Sequence, residues 1–93
     1  MQRQAIRLTI RGRVQGVGYR AWAADQAQRL GLDGWVRNRR DGSVELLAVG
    51  PDTRIEQMIE ACRRGPPAAR VTDVDHHADH DDGGIGFRHL PTA

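Results

Sequence analysis

The sequence predicts an α+β fold of the split βαβ, ferredoxin-like kind, with two helices packed on one face of an antiparallel sheet. Three observations predict it. An alternating segment, Ala5 to Arg13, runs into an amphipathic one, Tyr19 to Leu30. Two strand-like runs then flank Arg40-Asp41-Gly42, a turn sequence that makes them an antiparallel hairpin. A second amphipathic segment and two further extended runs complete the order strand, helix, strand, strand, helix, strand, with a short strand to close. Ninety-three residues hold one hydrophobic core, so a single domain, 1–93, is expected.

In the first strand Ile6, Leu8 and Ile10 share one face while Arg7, Thr9 and Arg11 share the other, the period of two of a half-buried strand. One face of the sheet is therefore expected to be wet. Tyr19, Ala23, Ala27 and Leu30 recur at helical spacing, and Gly31 stops that helix. Leu32 to Arg39 and Ser43 to Val49 are the hairpin strands. The second helix opens with Pro51, Asp52 and Thr53, where Thr53-Arg54-Ile55-Glu56 spells a capping box. Its stripe is Ile55, Met58, Ile59 and Cys62, with Arg63, Arg64 and Gly65-Pro66-Pro67 at its end. Arg70 to Ala78 alternates less well around Val71 and Val74. Asp79 to Gly84 is polar and reads as a loop, and Ile85 to Leu90, with Phe87, is the closing strand. The expected core is Ile6, Leu8, Ile10, Leu30, Val36, Val44, Leu46, Ile55, Met58 and Ile59.

Composition narrows the function. All fourteen basic residues are arginine, which removes the Gly-Lys-Ser/Thr phosphate loop and Schiff-base chemistry. Residues 1–40 carry nine Arg against Asp25 and Asp33, a net +7, while residues 41–93 carry five Arg against ten acids, a net −5. An anionic ligand should approach the first half. A lone cysteine, Cys62, forms no internal disulfide, and no segment has the apolar length of a signal peptide or a membrane span, so a cytoplasmic, monomeric protein with no membrane partner is expected.

The chemistry concentrates at Gly12-Arg13-Val14-Gln15-Gly16-Val17-Gly18-Tyr19-Arg20. No Ser, Thr, Asp or Asn lies between Gly12 and Ala24, so the first helix has no ordinary side-chain cap for its free N–H groups. Glycines permit close approach to a ligand, and a helix start favours negative charge. Arg20 in the first turn opposes the helix dipole, which makes sense if an anion sits between guanidinium and backbone. Phosphate or sulfate is the expected occupant. Asn38, late in the second strand and of a type depleted in strands, can hold a water against that anion.

Other readings weigh less. His76-His77-Ala78-Asp79-His80 carries metal-ligand types, but in an extended segment they do not converge, and a solvated loop is the plainer reading. Gly16-Val17-Gly18-Tyr19-Arg20-Ala21 matches a dinucleotide fingerprint in a chain too short for the doubly wound sheet. A non-catalytic ferredoxin-like module binding phosphate or nucleic acid would use Tyr19, Trp22, Trp35 and Phe87 for stacking, though core packing is the commoner use of so few aromatics. Cys62 lies on an apolar stripe, and His89 is read as a surface residue.

The Gly12–Arg20 stretch, with Leu30-Gly31, Gly34-Trp35-Val36-Arg37-Asn38, Asp41-Gly42-Ser43-Val44-Glu45 and Gly65-Pro66-Pro67, resembles the acylphosphatase family over nearly the whole chain. The resemblance implies hydrolysis of a small acyl phosphate to carboxylate and inorganic phosphate, with no cofactor, metal or covalent intermediate. It implies that Arg20 binds the phosphate together with the N–H groups of Gln15, Gly16, Val17, Gly18 and Tyr19, and that Asn38 orients the attacking water. Two stretches depart from the family pattern. Gly18-Tyr19 stands where many members have two aromatics, and the histidine-rich segment from His76 replaces a plainer strand and loop.

Overall fold

A computed structural model describes residues 3–93. Its elements are β1 (Arg3–Arg13), α1 (Tyr19–Arg29), β2 (Asp33–Asn38), β3 (Val44–Pro51), α2 (Asp52–Arg64), β4 (Arg70–Ala78) and β5 (Phe87–His89). The five strands form one sheet in the order β4-β1-β3-β2-β5. Helices cover the face to which Leu8, Ile10, Val36, Val44 and Leu46 point, and Ile55, Met58 and Cys62 of α2 close over them. This is the expected α+β sandwich. Of the expected core, Ile6, Leu30 and Ile59 are only partly buried, whereas Val14, Tyr19, Leu32 and Phe87 join it.

One pairing differs from expectation. β1, β3, β2 and β4 pair antiparallel, but β5 runs parallel to β2, with Val36 opposite His89. The reason is topological: after β4 on one edge, residues 79–86 cross the end of the sheet and the chain returns along the other edge in the direction of β1 and β2. β5 is also shorter than the Ile85–Leu90 run, and Ile85 is 90% exposed. The crossing is clamped by Arg3, whose guanidinium donates to Asp33 at 2.6 Å and Asp81 at 2.7 Å, and by the Gly86 N–H, which donates to Asp33 at 2.7 Å.

A second difference concerns α2. The capping box expected at Thr53–Glu56 does not form. β3 runs on through Pro51, the helix starts at Asp52, and Pro51 itself is the N-cap, with no side-chain bond to the first N–H groups. Thr53 thus falls inside the first turn, beyond the position from which a hydroxyl caps, and Asp52 answers the helix dipole by charge instead.

The face away from the helices is drier than the alternation of β1 implies. Ala5, Leu47 and Val49 form a small buried cluster against Trp35, over which Arg37 stacks at 4.8 Å. Central β3 is flanked on both sides, and the long stems of neighbouring arginines lie across it. Glu45, only 5% exposed at its side chain, accepts from Arg37 at 2.8 Å and Arg39 at 3.2 Å, with Arg7 at 3.8 Å.

Candidate functional site

β1, β2 and β5 run in one direction, so the chain leaving each of them meets at the same end of the sheet. There a cleft of about 240 Å³ is lined by Val14, Gly16, Gly18, Tyr19, Arg20, Ala21, Asn38 and His89. β1 and β2 are not neighbours. β3 lies between them, and its hairpin with β2 carries Asn38 to the rim.

The loop after β1 has the geometry of an anion cradle. Gly16 and Gly18 hold φ of 74° and 79°, and Val17 between them does not have positive φ. Such alternation turns successive N–H groups toward one side, and a Cβ at Gly18 would strain the left-handed N-cap. No side chain caps α1. Its first internal bond runs from Trp22 N–H to Gly18 C=O at 3.1 Å, so the N–H groups of Tyr19, Arg20 and Ala21 have no partner within the helix. The absence of a capping side chain was readable in the sequence, and the open amides are its consequence.

Two side chains in the cleft lack partners as well. The half-buried Arg20 makes no ion pair or side-chain hydrogen bond among the described residues. Asn38 Oδ1 is the one buried side-chain polar atom there without a hydrogen-bond partner. Its aim follows from its neighbours. Arg37 and Arg39 both reach Glu45 on the open face, so strand alternation sends Asn38 to the opposite face, into the cleft. Leaving a buried acceptor unpaired costs about 1–3 kcal/mol, which a bound water or anion-linked donor would offset.

The other sequence-predicted residues have different placements. Gln15 is not on the cleft: its Nε2 donates to the backbone oxygens of Arg39 at 2.7 Å and Ser43 at 2.8 Å, tying the loop to the hairpin. Val17 packs against the core. Tyr19 lines the cleft, yet its ring is buried, edge-on to Trp22, and its hydroxyl donates to the Cys62 carbonyl at 2.7 Å. Burial holds that phenol far above its ordinary range, so it stays neutral. Burial likewise pushes the Cys62 thiol up to about 12, which removes the thiolate a nucleophile needs. With Tyr19 and Phe87 buried, the aromatics offer no stacking ladder for bases. His76 and His77 point to opposite faces of β4, and among the described residues no three His, Cys, Asp or Glu side chains converge as a metal site requires. Among the described residues no helix is long and apolar enough to cross a membrane. Sequence reasoning missed Val14, Ala21 and His89. The parallel return of β5 puts His89 at the rim, and its only sequence signal is a place two residues after Phe87.

Comparison with known proteins gives a consistent result. The family model for acylphosphatase matches residues 6–89. A relative named acylphosphatase from Rhizorhabdus wittichii is 53% identical over 90 residues, 97% of this chain and 91% of the relative. The crystal structure of acylphosphatase from Bacillus subtilis superposes with a TM-score of 0.90 at 37% identity, covering 96% of this chain and 99% of that one. The structure of an acylphosphatase from Coxiella burnetii gives 0.91 at 35% identity, over 95% of this chain and 93% of that one.

Proposed function

Since the chain belongs to the acylphosphatase family and is an acylphosphatase, we propose that the cleft at the start of α1 hydrolyses the carboxyl-phosphate bond of small acyl phosphates, with Arg20 and the loop amides binding phosphate and Asn38 placing the water. The observation that carries this reading is the company of unpaired groups: the Arg20 guanidinium, the open amides of the first turn and the orphaned Asn38 oxygen border one cleft.

The chemistry follows from what those groups offer. Phosphate oxygens sit on the N–H groups of the Gly16–Arg20 turn and on the guanidinium, which suits both the charge and the forked geometry of arginine. Asn38 Oδ1 accepts a hydrogen from water and aims its lone pair at phosphorus. The new O–P bond forms in line as the P–O bond to the acyl group breaks, and the carboxylate departs with the bonding pair. Water's two hydrogens end on the phosphate product, so acyl phosphate dianion and water give carboxylate and dihydrogen phosphate. The transition state is loose and the leaving group good, so positioning and charge stabilisation suffice without a strong base. No carboxylate or thiolate lines the cleft, and the reading requires no metal ligand.

Hydrolysis of benzoyl phosphate in the presence of EDTA tests it. Wild type is expected to turn over. Arg20→Ala should lose ~10²- to 10³-fold in kcat/KM with weaker phosphate binding, and Asn38→Ala should lose ~10²-fold or more in kcat with KM little changed. A folded Asn38→Ala protein with normal kcat overturns the role given to Asn38. Wild-type activity that disappears with EDTA overturns the metal-independent chemistry.

A further inference from the structure

His89 has no task in the reaction just described, yet it borders the same cleft. Along β5, Phe87 is buried in the core and His89, two residues on, faces the same side, which is the side of α1 and the cleft. The side chain of the intervening Arg88 is engaged elsewhere, donating to the Gly34 carbonyl at 3.1 Å and pairing with Asp82 at 2.9 Å. The His89 imidazole makes no hydrogen bond or ion pair among the described residues, and it is exposed. After Arg20, it is the one ionisable side chain aimed at the cleft among the described residues, since Tyr19 is sealed in the core.

The position fits a contact with the acyl group. With phosphate on the first turn of α1 and Arg20 and water at Asn38, as proposed above, the rim formed by β5 is left for the acyl group. An imidazole there offers an N–H donor to an anionic group. No carboxylate of the protein lines the cleft to repel an acid or to occupy that donor. We propose that His89 reads the acyl moiety: it donates to a carboxylate carried on the acyl chain, so the enzyme prefers acyl phosphates of dicarboxylic acids over those of monocarboxylic acids. The inference rests on the phosphohydrolase reading and specifies the substrate class for the same site.

The test compares 3-carboxybenzoyl and 4-carboxybenzoyl phosphate with benzoyl phosphate, three rigid substrates that differ in the second carboxylate. Wild type should show a higher kcat/KM for at least one carboxylated isomer, by about three- to fivefold as expected of an exposed ion pair, with the gain in KM. His89→Ala should erase that preference while leaving kcat for benzoyl phosphate unchanged, and His89→Arg should retain or enlarge it. Equal substrate ratios in wild type and His89→Ala overturn the inference while benzoyl phosphate turnover keeps the parent reading intact. Absence of benzoyl phosphate hydrolysis by wild type overturns the parent reading itself.

Discussion

Asn38 stands at a price in stability. Its buried oxygen has no partner, and Asn is poorly suited to a strand, so the free protein carries a local cost that only an occupant of the cleft relieves. Asn38→Ala is therefore expected to separate activity from stability: urea unfolding should show a midpoint equal to or above wild type, by up to about 1 kcal/mol, in the same protein whose turnover has collapsed. A clear loss of stability would mean that the side chain is held by interactions of the resting fold. The residue was legible in the sequence for this reason, as a polar side chain where a strand gives it no use. The place of His89 on the cleft was not, because a histidine in a short exposed strand looks the same whether it faces open solvent or the rim of a cleft.

Among the elements, the loop after β1 and the β2–β3 hairpin act as one unit. Gln15 spans them with two hydrogen bonds from a single amide nitrogen, and Asp41 closes the hairpin by accepting from the Ser43 N–H at 2.9 Å and hydroxyl at 2.6 Å. Gln15→Ala should release the cradle from Asn38 and lower kcat about tenfold, with a smaller change in phosphate affinity, because the amides persist while their distance to the Asn38 side chain varies. Phosphate inhibition beside benzoyl phosphate kinetics measures both, and an unchanged kcat would show that the loop holds its place alone. The first helix and the hairpin were readable because Gly31 and Asp41-Gly42 act locally, through turn conformations available to few other residues. The capping box and the direction of β5 were misjudged because both depend on events at a distance. β3 runs to Pro51 and the helix starts straight after it, which draws Thr53 into the first turn instead of leaving it at the cap, and the crossing after β4 set the last pairing.

For the molecule as a whole, the acid limb of stability should report the clamp at the far end of the sheet. The Arg3 guanidinium, followed by the Gly86 N–H, holds the Asp33 carboxyl below the usual range, and Arg3, followed by the Gly83 N–H, does the same for Asp81. A carboxyl whose folded pKa is depressed contributes stability that is present above its unfolded pKa, near ~4, and is lost as pH falls through the lower folded value. Urea midpoints should therefore decline between about pH 4 and pH 2, and Asp33→Asn should flatten that decline. An identical acid slope in the variant would remove the clamp as a source of stability. The direction of β5 also has a consequence in time. The cleft draws on Gly16, Gly18 and the first turn of α1, on Asn38 and on His89, whose strand follows the other described elements in the chain and adds to β2 after they have been made. A chain made only as far as residue 86 already holds the residues of the cradle and Asn38 but lacks β5, so the His89 side of the cleft is the latest of its walls to be laid down.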